Sequence, residues 1–201
     1  MPQQSTYYTD RQWENLQNKS RFKELCRQCG LPVVEGTVYS EGESMSPLKR
    51  LKLPVIVKPV DGSGSKGFCV CSTEEELVSG IQTAMYNSVS KQVIIESYVK
   101  NRGMIVYYSV SNGDLVFCGS NDKYPVYYEV PGTFVNGLEL WPSRKETEFR
   151  TLYEEKVKKL VKKLDMREGS FWIEVFQNDE KLRSVGLDVP QSTELALELG
   201  L

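Results

Sequence analysis

Apolar residues recur at helical spacing in three parts of the chain. The first, residues 9–29, begins at Thr9, which is placed to open a capping box, and is interrupted near Asn18. The second covers residues 74–87. The third is a long helix that opens at Ser143, where a serine and the acid three residues later predict another capping box.

Shorter apolar runs, rich in β-branched and aromatic residues, predict strands between these helices. They lie at residues 33–39, 55–57, 68–71, 93–99, 104–110, 115–118 and in a last hairpin over 170–185. The dipeptide Asn112-Gly113 separates two of the runs and is a strong hairpin signal. Residues 131–141 carry Gly and Pro and are predicted to be a loop. Helices interleaved among antiparallel hairpins indicate an α+β fold.

The clearest chemical signal is a glycine-rich loop, DGSGSKG at residues 61–67, between two β-prone runs. Glycines let the backbone approach a ligand with its N–H groups pointing inward, and Ser63 and Ser65 add hydroxyl donors. Lys58, at the end of the first run, and Lys66 bring positive charge to the same place. This set of groups suits a polyphosphate. An ordinary hairpin with a soluble tip is the alternative.

Three glycines of the loop, Gly62, Gly64 and Gly67, satisfy the G-x-G-x-x-G pattern of dinucleotide-binding folds. That pattern needs a helix to begin at the third glycine, so that the helix N-terminus faces the pyrophosphate. A strand follows here instead, which excludes this interpretation. A P-loop is excluded because no Gly-Lys-Ser/Thr closes the motif, and a protein kinase because its catalytic motifs are absent.

The composition of the chain reduces the number of functional classes to which the protein could belong. The 201 residues suit one sizeable core or two small lobes sharing a cleft, and a net charge of −2 gives no reason to expect nucleic acid or a membrane as partner. The chain has no histidine, which excludes histidine-based triads and general bases. Five cysteines, an odd number, and the lack of a recognisable signal peptide favour the reducing cytoplasm. We expect Cys26 and Cys29 to pack in the core rather than to bind zinc.

The order of features from Lys58 onward points to one family. A lysine at the end of a strand, a serine- and glycine-rich hairpin, a strand, a helix and a strand ending in Ile-Glu-Ser-Tyr-Val follow one another. This order resembles the ATP-grasp superfamily, and more closely its carbamoyl-phosphate-synthase-like members, over residues 10–182. The resemblance implies an α+β fold with two lobes whose antiparallel sheets enclose a nucleotide cleft. The implied division is a helical segment at 1–30, a first lobe at 31–98, a second lobe at 99–189 and a tail at 190–201.

The resemblance implies a set of phosphate-binding residues. Lys19, ahead of a Gly-Leu-Pro turn, and Lys58 would contact the α- and β-phosphates of ATP, and Lys123 resembles a further lysine on the phosphate side. The loop at 61–67 would close over the phosphates as a flap. Its implied contacting residues are Ser63, Gly64, Ser65, Lys66 and Gly67.

The resemblance also implies an adenine site and a metal ligand. Residues 96–99 look like the interlobe hinge, which begins at Glu96 and reads adenine through the carbonyl of Ser97 and the amide of Val99. Glu174 looks like the first of two magnesium-binding acids, and carboxylates are the expected ligands of that ion.

Simpler structural interpretations of these residues stay open. Lys19 is equally a lysine exposed at a helix start, and Glu96 a partly buried acid of a strand. Glu174 alternates with Trp172 and Phe176 on one strand face, so it is also interpretable as a side chain that points to solvent.

Three features depart from the family pattern. Gly103 and Met104 stand where an acid usually holds the ribose, and the region expected to carry the second metal acid offers only Asp188. These enzymes usually have an α/β domain ahead of the grasp region, and this chain has almost nothing before its first helix. We therefore expect a fragment or a truncated member.

The function implied by the resemblance is that of an ATP-dependent carboxylate–amine or carboxylate–thiol ligase acting through an acyl phosphate. Its cofactors would be ATP and magnesium, and its partners small-molecule carboxylates and amines or thiols. No catalytic base is identifiable, so whether this chain is an enzyme stays open. The alternative is a truncated or degenerate nucleotide-binding module without turnover, and a more distant one is a nonenzymatic structural domain.

Overall fold

The computed structural model of the protein describes residues 9–62, 67–99, 102–127, 134–178 and 181–185. These residues form helices and two antiparallel sheets. The helices are α1 (Asp10–Gln17), α2 (Lys19–Gln28), α3 (Glu74–Tyr86) and α4 (Glu146–Lys163), with a short 3-10 helix at Ser46–Arg50. The strands are β1 (Gly36–Ser40), β2 (Val55–Pro59), β3 (Cys69–Cys71), β4 (Gln92–Ser97), β5 (Arg102–Ser111), β6 (Asp114–Tyr127), β7 (Phe134–Leu140), β8 (Gly169–Asn178) and β9 (Lys181–Val185).

The first sheet has the strand order β1-β4-β2-β3 and packs against α3. Val55 and Val57 of β2 are buried on the same face, as the two-residue period of a strand requires, and they join Leu77 and Ile81 of α3 in one core. Gly80 lets α3 approach the sheet closely, because a Cβ there would lie 2.8 Å from the Sγ of Cys71. This core holds β2 in place, and β2 carries Lys58.

The second sheet has the order β7-β6-β5-β8-β9 and packs against α4 and the two N-terminal helices. Met104 and Val106 of β5 form one core with Ile173 and Val175 of β8. Phe149 of α4 completes it from the helical side. Alternate residues of these strands therefore point to the opposite face of the sheet, where the polar candidate residues lie.

The break between the first two helices is confirmed at Asn18. Its side-chain carbonyl accepts hydrogen bonds from the backbone amides of Ser20 and Arg21, so Asn18 ends α1 and caps α2. The capping box at Thr9 is also confirmed, with Gln12 as its partner. Cys26 and Cys29 are buried in the second core with free thiols, as expected for packing residues.

Two local predictions are wrong. The Ser143 hydroxyl donates to a carboxylate oxygen of Asp122 at 2.6 Å instead of capping α4, whose N-cap is Lys145 without a side-chain cap bond. Residues 131–141, predicted as loop, contain β7, because pairing with β6 supplies the hydrogen bonds that its Gly-containing sequence does not signal. Residues 186–201, which include Asp188 and the predicted tail, lie outside the described residues.

Among the residues that the structure describes, no helix is both long enough and apolar enough to cross a membrane.

Candidate functional site

The N-terminus of α2 is bonded to the base of the glycine-rich loop. The backbone amide of Lys19 donates to the carbonyl of Val60 at 2.9 Å. The Lys19 ammonium donates to the carbonyl of Gly62. Lys19 therefore lies beside the first residues of the glycine-rich loop, and its expected contact with a phosphate stays a prediction.

Lys58 lies near the end of strand β2, beside a buried carboxylate. Its Nζ is 3.2 Å from Oε2 of Glu96, which sits on the neighbouring strand β4 and is only 3% exposed. Lys58 and Glu96 are diagonal neighbours across the strand pair, because Lys58 faces Ile94 in the register. The side chain of Lys58 is itself 25% exposed, so it lies between the core and the open side of the sheet.

A second lysine, Lys23 of α2, holds the other oxygen of Glu96. Its ammonium forms an ion pair with Oε1 and also donates to the carbonyl of Val34 at 3.0 Å. The Lys23 side chain is 8% exposed. Glu96 thus has one ammonium group on each carboxylate oxygen.

The electrostatics of this triad follow from burial and charge. Burial alone would raise the pKa of Glu96, but Lys58 and Lys23 more than reverse that effect and hold the pKa below its usual value. Burial lowers the pKa of Lys23, and the attraction of Glu96 opposes this without cancelling it. Both carboxylate oxygens of Glu96 are in contact with ammonium groups, and these contacts favour the charged form of Glu96.

Sequence reasoning missed Lys23. The signal was present: Lys23 falls four residues after Lys19, on a helical face that it shares with the buried Phe22 and Cys26. A lysine on an otherwise apolar face needs a buried partner. Only the fold identifies that partner as Glu96.

The glycine-rich loop is anchored at both ends. Asp61 accepts hydrogen bonds from the hydroxyl of Ser88 at 2.9 Å and from the backbone amide of Ser90 at 2.6 Å. At the other end, Gly67 has φ +73° and lies so close to Asn87 that an added Cβ would be 2.6 Å from the Asn87 Cβ. The predicted contacts Ser63, Gly64, Ser65 and Lys66, in between, lie outside the described residues.

The chain passes from one sheet to the other just after β4. The amide of Ser97 donates to the carbonyl of Glu35, and the amide of Tyr98 to the carbonyl of Pro54, both at 3.1 Å. Val99 follows, and β5 of the second sheet begins at Arg102. Residues 96–99 therefore run from the end of β4 into the connection between the two sheets, and the resemblance puts an adenine-reading hinge at these residues.

Lys123 and Glu174 meet on the second sheet. They lie on β6 and β8, with β5 between them, and Nζ of Lys123 is 2.5 Å from Oε1 of Glu174. Lys123 is paired with Gly103, whose lack of a side chain leaves room for the lysine to cross β5. The two side chains are 20% and 27% exposed, so Glu174 is neither buried in the core nor fully in solvent.

A polar and aromatic group that the sequence analysis did not identify lies beside this pair. Asn121 donates from Nδ2 to Glu139 at 2.5 Å and to the hydroxyl of Tyr107 at 3.3 Å. The Tyr107 ring stacks on Trp141 with 4.9 Å between centroids. Burial raises the pKa of Tyr107, and the carboxylates of Glu139 and Glu174 add to the rise.

The residues fit a magnesium ion only as a partial site. Glu174 offers carboxylate oxygens, and magnesium is commonly held by one or two carboxylates together with phosphate oxygens and water. Nowhere in the described part of the chain do three or more acidic or cysteine side chains form a cluster that could hold a metal alone. Glu174 is thus suited to be one protein ligand of a metal that phosphate groups also bind.

Two antiparallel sheets, joined by residues 96–99 and carrying lysines at the base of an anchored glycine-rich loop, define an ATP-grasp domain. Residues 18–124 match the family described as "Carbamoyl-phosphate synthase L chain, ATP binding domain", and the chain belongs to that family.

Relatives and solved structures agree with this assignment. The 2-oxoglutarate carboxylase small subunit of Hydrogenobacter thermophilus is 29% identical over 119 residues, which cover 54% of this chain and 25% of that protein. The biotin carboxylase domain of the same organism's enzyme, solved with MgADP, ADP and bicarbonate, superposes with a TM-score of 0.71 at 23% identity over 86% of this chain and 39% of that one. The VanG D-Ala:D-Ser ligase of Enterococcus faecalis gives a TM-score of 0.70 at 17% identity, over 87% of this chain and 53% of that one. The chain thus spans a quarter of the length of the first relative and about half or less of the structures.

Proposed function

We propose that this chain binds MgATP between its two lobes, 31–98 and 99–189, as the nucleotide site of an ATP-dependent ligase. The observation that carries the proposal is the arrangement at the base of the loop. Lys19 contacts the first residues of the loop, and Lys58 lies near the end of β2, the strand that leads into the loop. Two ammonium groups at the base of one anchored, glycine-rich loop suit the oxygens of a polyphosphate.

Each residue has a part in this proposal. Lys19 and Lys58 bind the α- and β-phosphates, the loop at 61–67 covers them, and Lys123 contacts the phosphates from the second sheet. The main chain of Ser97 and Val99, beyond Glu96, reads the adenine edge. This use of main chain is reasonable because adenine offers one donor and one acceptor side by side.

Glu174 is the proposed protein ligand of magnesium, and the ion would neutralise charge on the transferring phosphate when bound. Glu174 contacts Lys123 in the structure, so binding of a cation requires that the ammonium turns toward the phosphates. The same movement would bring Lys123 to the place where the resemblance expects it.

The reaction that fits this site is transfer of the γ-phosphoryl group to a carboxylate or to bicarbonate. A carboxylate oxygen attacks the γ-phosphorus and ADP leaves; an amine or thiol then attacks the acyl carbon and phosphate leaves. The protein contributes positioning and electrostatic stabilisation through its lysines and loop amides. The five free cysteines fit a reducing compartment, and we place the protein in the cytoplasm.

The second candidate is a nucleotide-binding module without turnover. The feature that favours it is in the sequence, where the region expected to carry the second metal acid offers only Asp188. The two candidates share nucleotide binding and differ only in chemistry.

Calorimetric titration with ATP and magnesium tests the shared proposal. Loss of a charge-assisted contact in Lys58→Ala should weaken binding by about tenfold or more, since such a hydrogen bond contributes about 1.5–3 kcal/mol. Lys158→Ala is the matched control, because Lys158 loses the same charge from an exposed pair with Glu155 on α4. Equal affinities of the wild type and Lys58→Ala would remove Lys58 from the site.

Turnover is tested separately. Phosphate release from ATP with bicarbonate, and hydroxamate formation from D-alanine and hydroxylamine, detect an activated carboxylate. A signal in either assay supports the ligase, whereas tight MgATP binding with neither signal supports the module without turnover.

A further inference from the structure

The carboxylate of Glu96 is buried and shared by two lysines whose surroundings differ. Lys23 reaches it from α2, is 8% exposed and is also tied to the carbonyl of Val34 at 3.0 Å. Lys58 reaches it from β2, is 25% exposed and stands next to the glycine-rich loop. One lysine is thus fixed in the interior, while the other borders the proposed phosphate site.

We infer that Lys23 is a positioning residue whose task is to keep Glu96 neutralised when Lys58 moves from Glu96 to a phosphate of ATP. This inference rests on the proposed function, because it needs a polyanion that competes for Lys58. It assigns to Lys23 no contact with the nucleotide.

The physical argument concerns the cost of leaving a charge alone in the interior. A buried carboxylate that loses its only cation is strongly destabilised, since neither water nor another charge replaces the partner. With Lys23 in place, Lys58 can leave and Glu96 still has an ammonium on Oε1. Without Lys23, the phosphate and Glu96 would compete for the same ammonium group, and every bound nucleotide would leave a buried charge unpaired.

The geometry makes Lys58, rather than Lys23, the lysine that moves. Lys23 would have to give up both the carboxylate and the Val34 carbonyl, and its side chain starts from a place closed to solvent. Lys58 is on the strand that runs directly into the loop. The two lysines that share one carboxylate therefore have separate tasks, one in binding and one in compensation.

The test is a set of MgATP titrations on the full chain with four proteins: wild type, Lys23→Met, Glu96→Gln and the double variant. Methionine keeps the unbranched stem of Lys23 as far as Cε and removes the ammonium group, and with it the charge and the donors. We expect Lys23→Met to weaken MgATP binding by at least about tenfold, which corresponds to about 1.4 kcal/mol. In the Glu96→Gln background the same change should weaken binding by less than about threefold, because no carboxylate is left to compensate.

The rescue separates positioning from packing. If Lys23 only packs or only holds Val34, the loss on Lys23→Met is the same with and without the Glu96 carboxylate, and that result overturns the inference. Lys158→Met removes an equal charge from the surface of α4 and should leave the affinity unchanged. An equal loss in this control would attribute the effect to net charge and also overturn the inference.

The titrations and urea unfolding of the same proteins keep the two proposals distinguishable. If the wild type does not bind MgATP, the proposed function fails and this inference fails with it, whereas a wild type that binds MgATP without the rescue by Glu96→Gln overturns the inference alone. A double variant that is more stable than Glu96→Gln, because the uncompensated Lys23 charge is gone, supports compensation. Failure of both Lys23→Met and the double variant to fold would show that Lys23 is needed for more than the charge, and would overturn it.

Discussion

Replacement of Glu96 by Gln is the most direct test of the buried charge triad. The substitution keeps the shape of the side chain and removes the negative charge between Lys23 and Lys58. Lys58 is 25% exposed and can turn toward solvent, whereas Lys23, at 8%, stays in the interior next to a neutral amide. The loss of stability therefore comes from one buried ammonium group, that of Lys23, which no longer has its counter-ion.

The expected magnitude follows from that difference. Removing one partner of a buried ion pair typically destabilises a protein by about 3–5 kcal/mol. The amide oxygen of Gln can still accept a hydrogen bond from Lys23, so we expect the lower end, about 3 kcal/mol. A loss of this size is a large part of the free energy of unfolding of an ordinary domain, which is about 5–15 kcal/mol.

The stabilisation by the Glu96 carboxylate should depend on pH in a definite direction. The folded-state pKa of Glu96 is lowered by its two lysines, so its contribution is present above the unfolded value of 4.5 and is lost as the pH falls through the folded pKa. Urea unfolding followed by tryptophan fluorescence should show the full difference between wild type and Glu96→Gln at neutral pH. The difference should shrink as the pH drops below 4.5.

The control is Glu155→Gln, which removes the same charge from an exposed pair with Lys158 on α4 and should leave the unfolding midpoint unchanged. Equal midpoints for wild type and Glu96→Gln at neutral pH would refute the reasoning. So would a difference that does not depend on pH, since it would come from shape rather than charge.

Three further predictions concern the loop and the thiols. Gly67→Ala should lower the free energy of unfolding by at least about 1 kcal/mol in urea titration, because φ is +73° and a Cβ would clash with the end of α3; an unchanged midpoint would contradict it. Burial would raise the pKa of Asp61, but hydrogen bonds from Ser90 and Ser88 outweigh it and lower the pKa. The loss of unfolding free energy in Asp61→Asn should therefore be largest at neutral pH and fade below pH 3.8. A loss that does not depend on pH would disprove this cause. In the native protein, a thiol reagent should modify the exposed Cys118 before Cys26, because burial shields the Cys26 thiol and raises its pKa. Cys118→Ser should remove the fast phase of the reaction. A fast phase that persists in this variant would show that Cys118 is not its source.

Much of the fold was predictable because its signals are local. The break at Asn18, the cap at Thr9 and the hairpin turn at Asn112-Gly113 each depend on residues within a few positions, and each is confirmed. Asn112 and Gly113 both have positive φ, as a tight hairpin turn requires. The position of Lys58 at the end of a strand was predictable for the same reason.

The errors have a common origin in longer-range pairing. Ser143 carries the sequence signature of a helix cap, but Asp122 of β6 binds its hydroxyl at 2.6 Å. A similar competition decides β7, whose sequence resembles a loop until β6 pairs with it. In both cases a partner distant in sequence overrides the local preference.

The sequence by itself determined most of the helices and strands and the glycine-rich loop after Lys58, and its resemblance to known members indicated the family. The helices, strands and loop are encoded by periodicity and turn residues, which act over short stretches of chain. The tertiary structure alone decided which charges meet: Lys23 with Glu96, and Lys123 with Glu174, 51 residues apart. Charged side chains gain partners by packing of separate elements, and no local pattern specifies which carboxylate a given ammonium will reach.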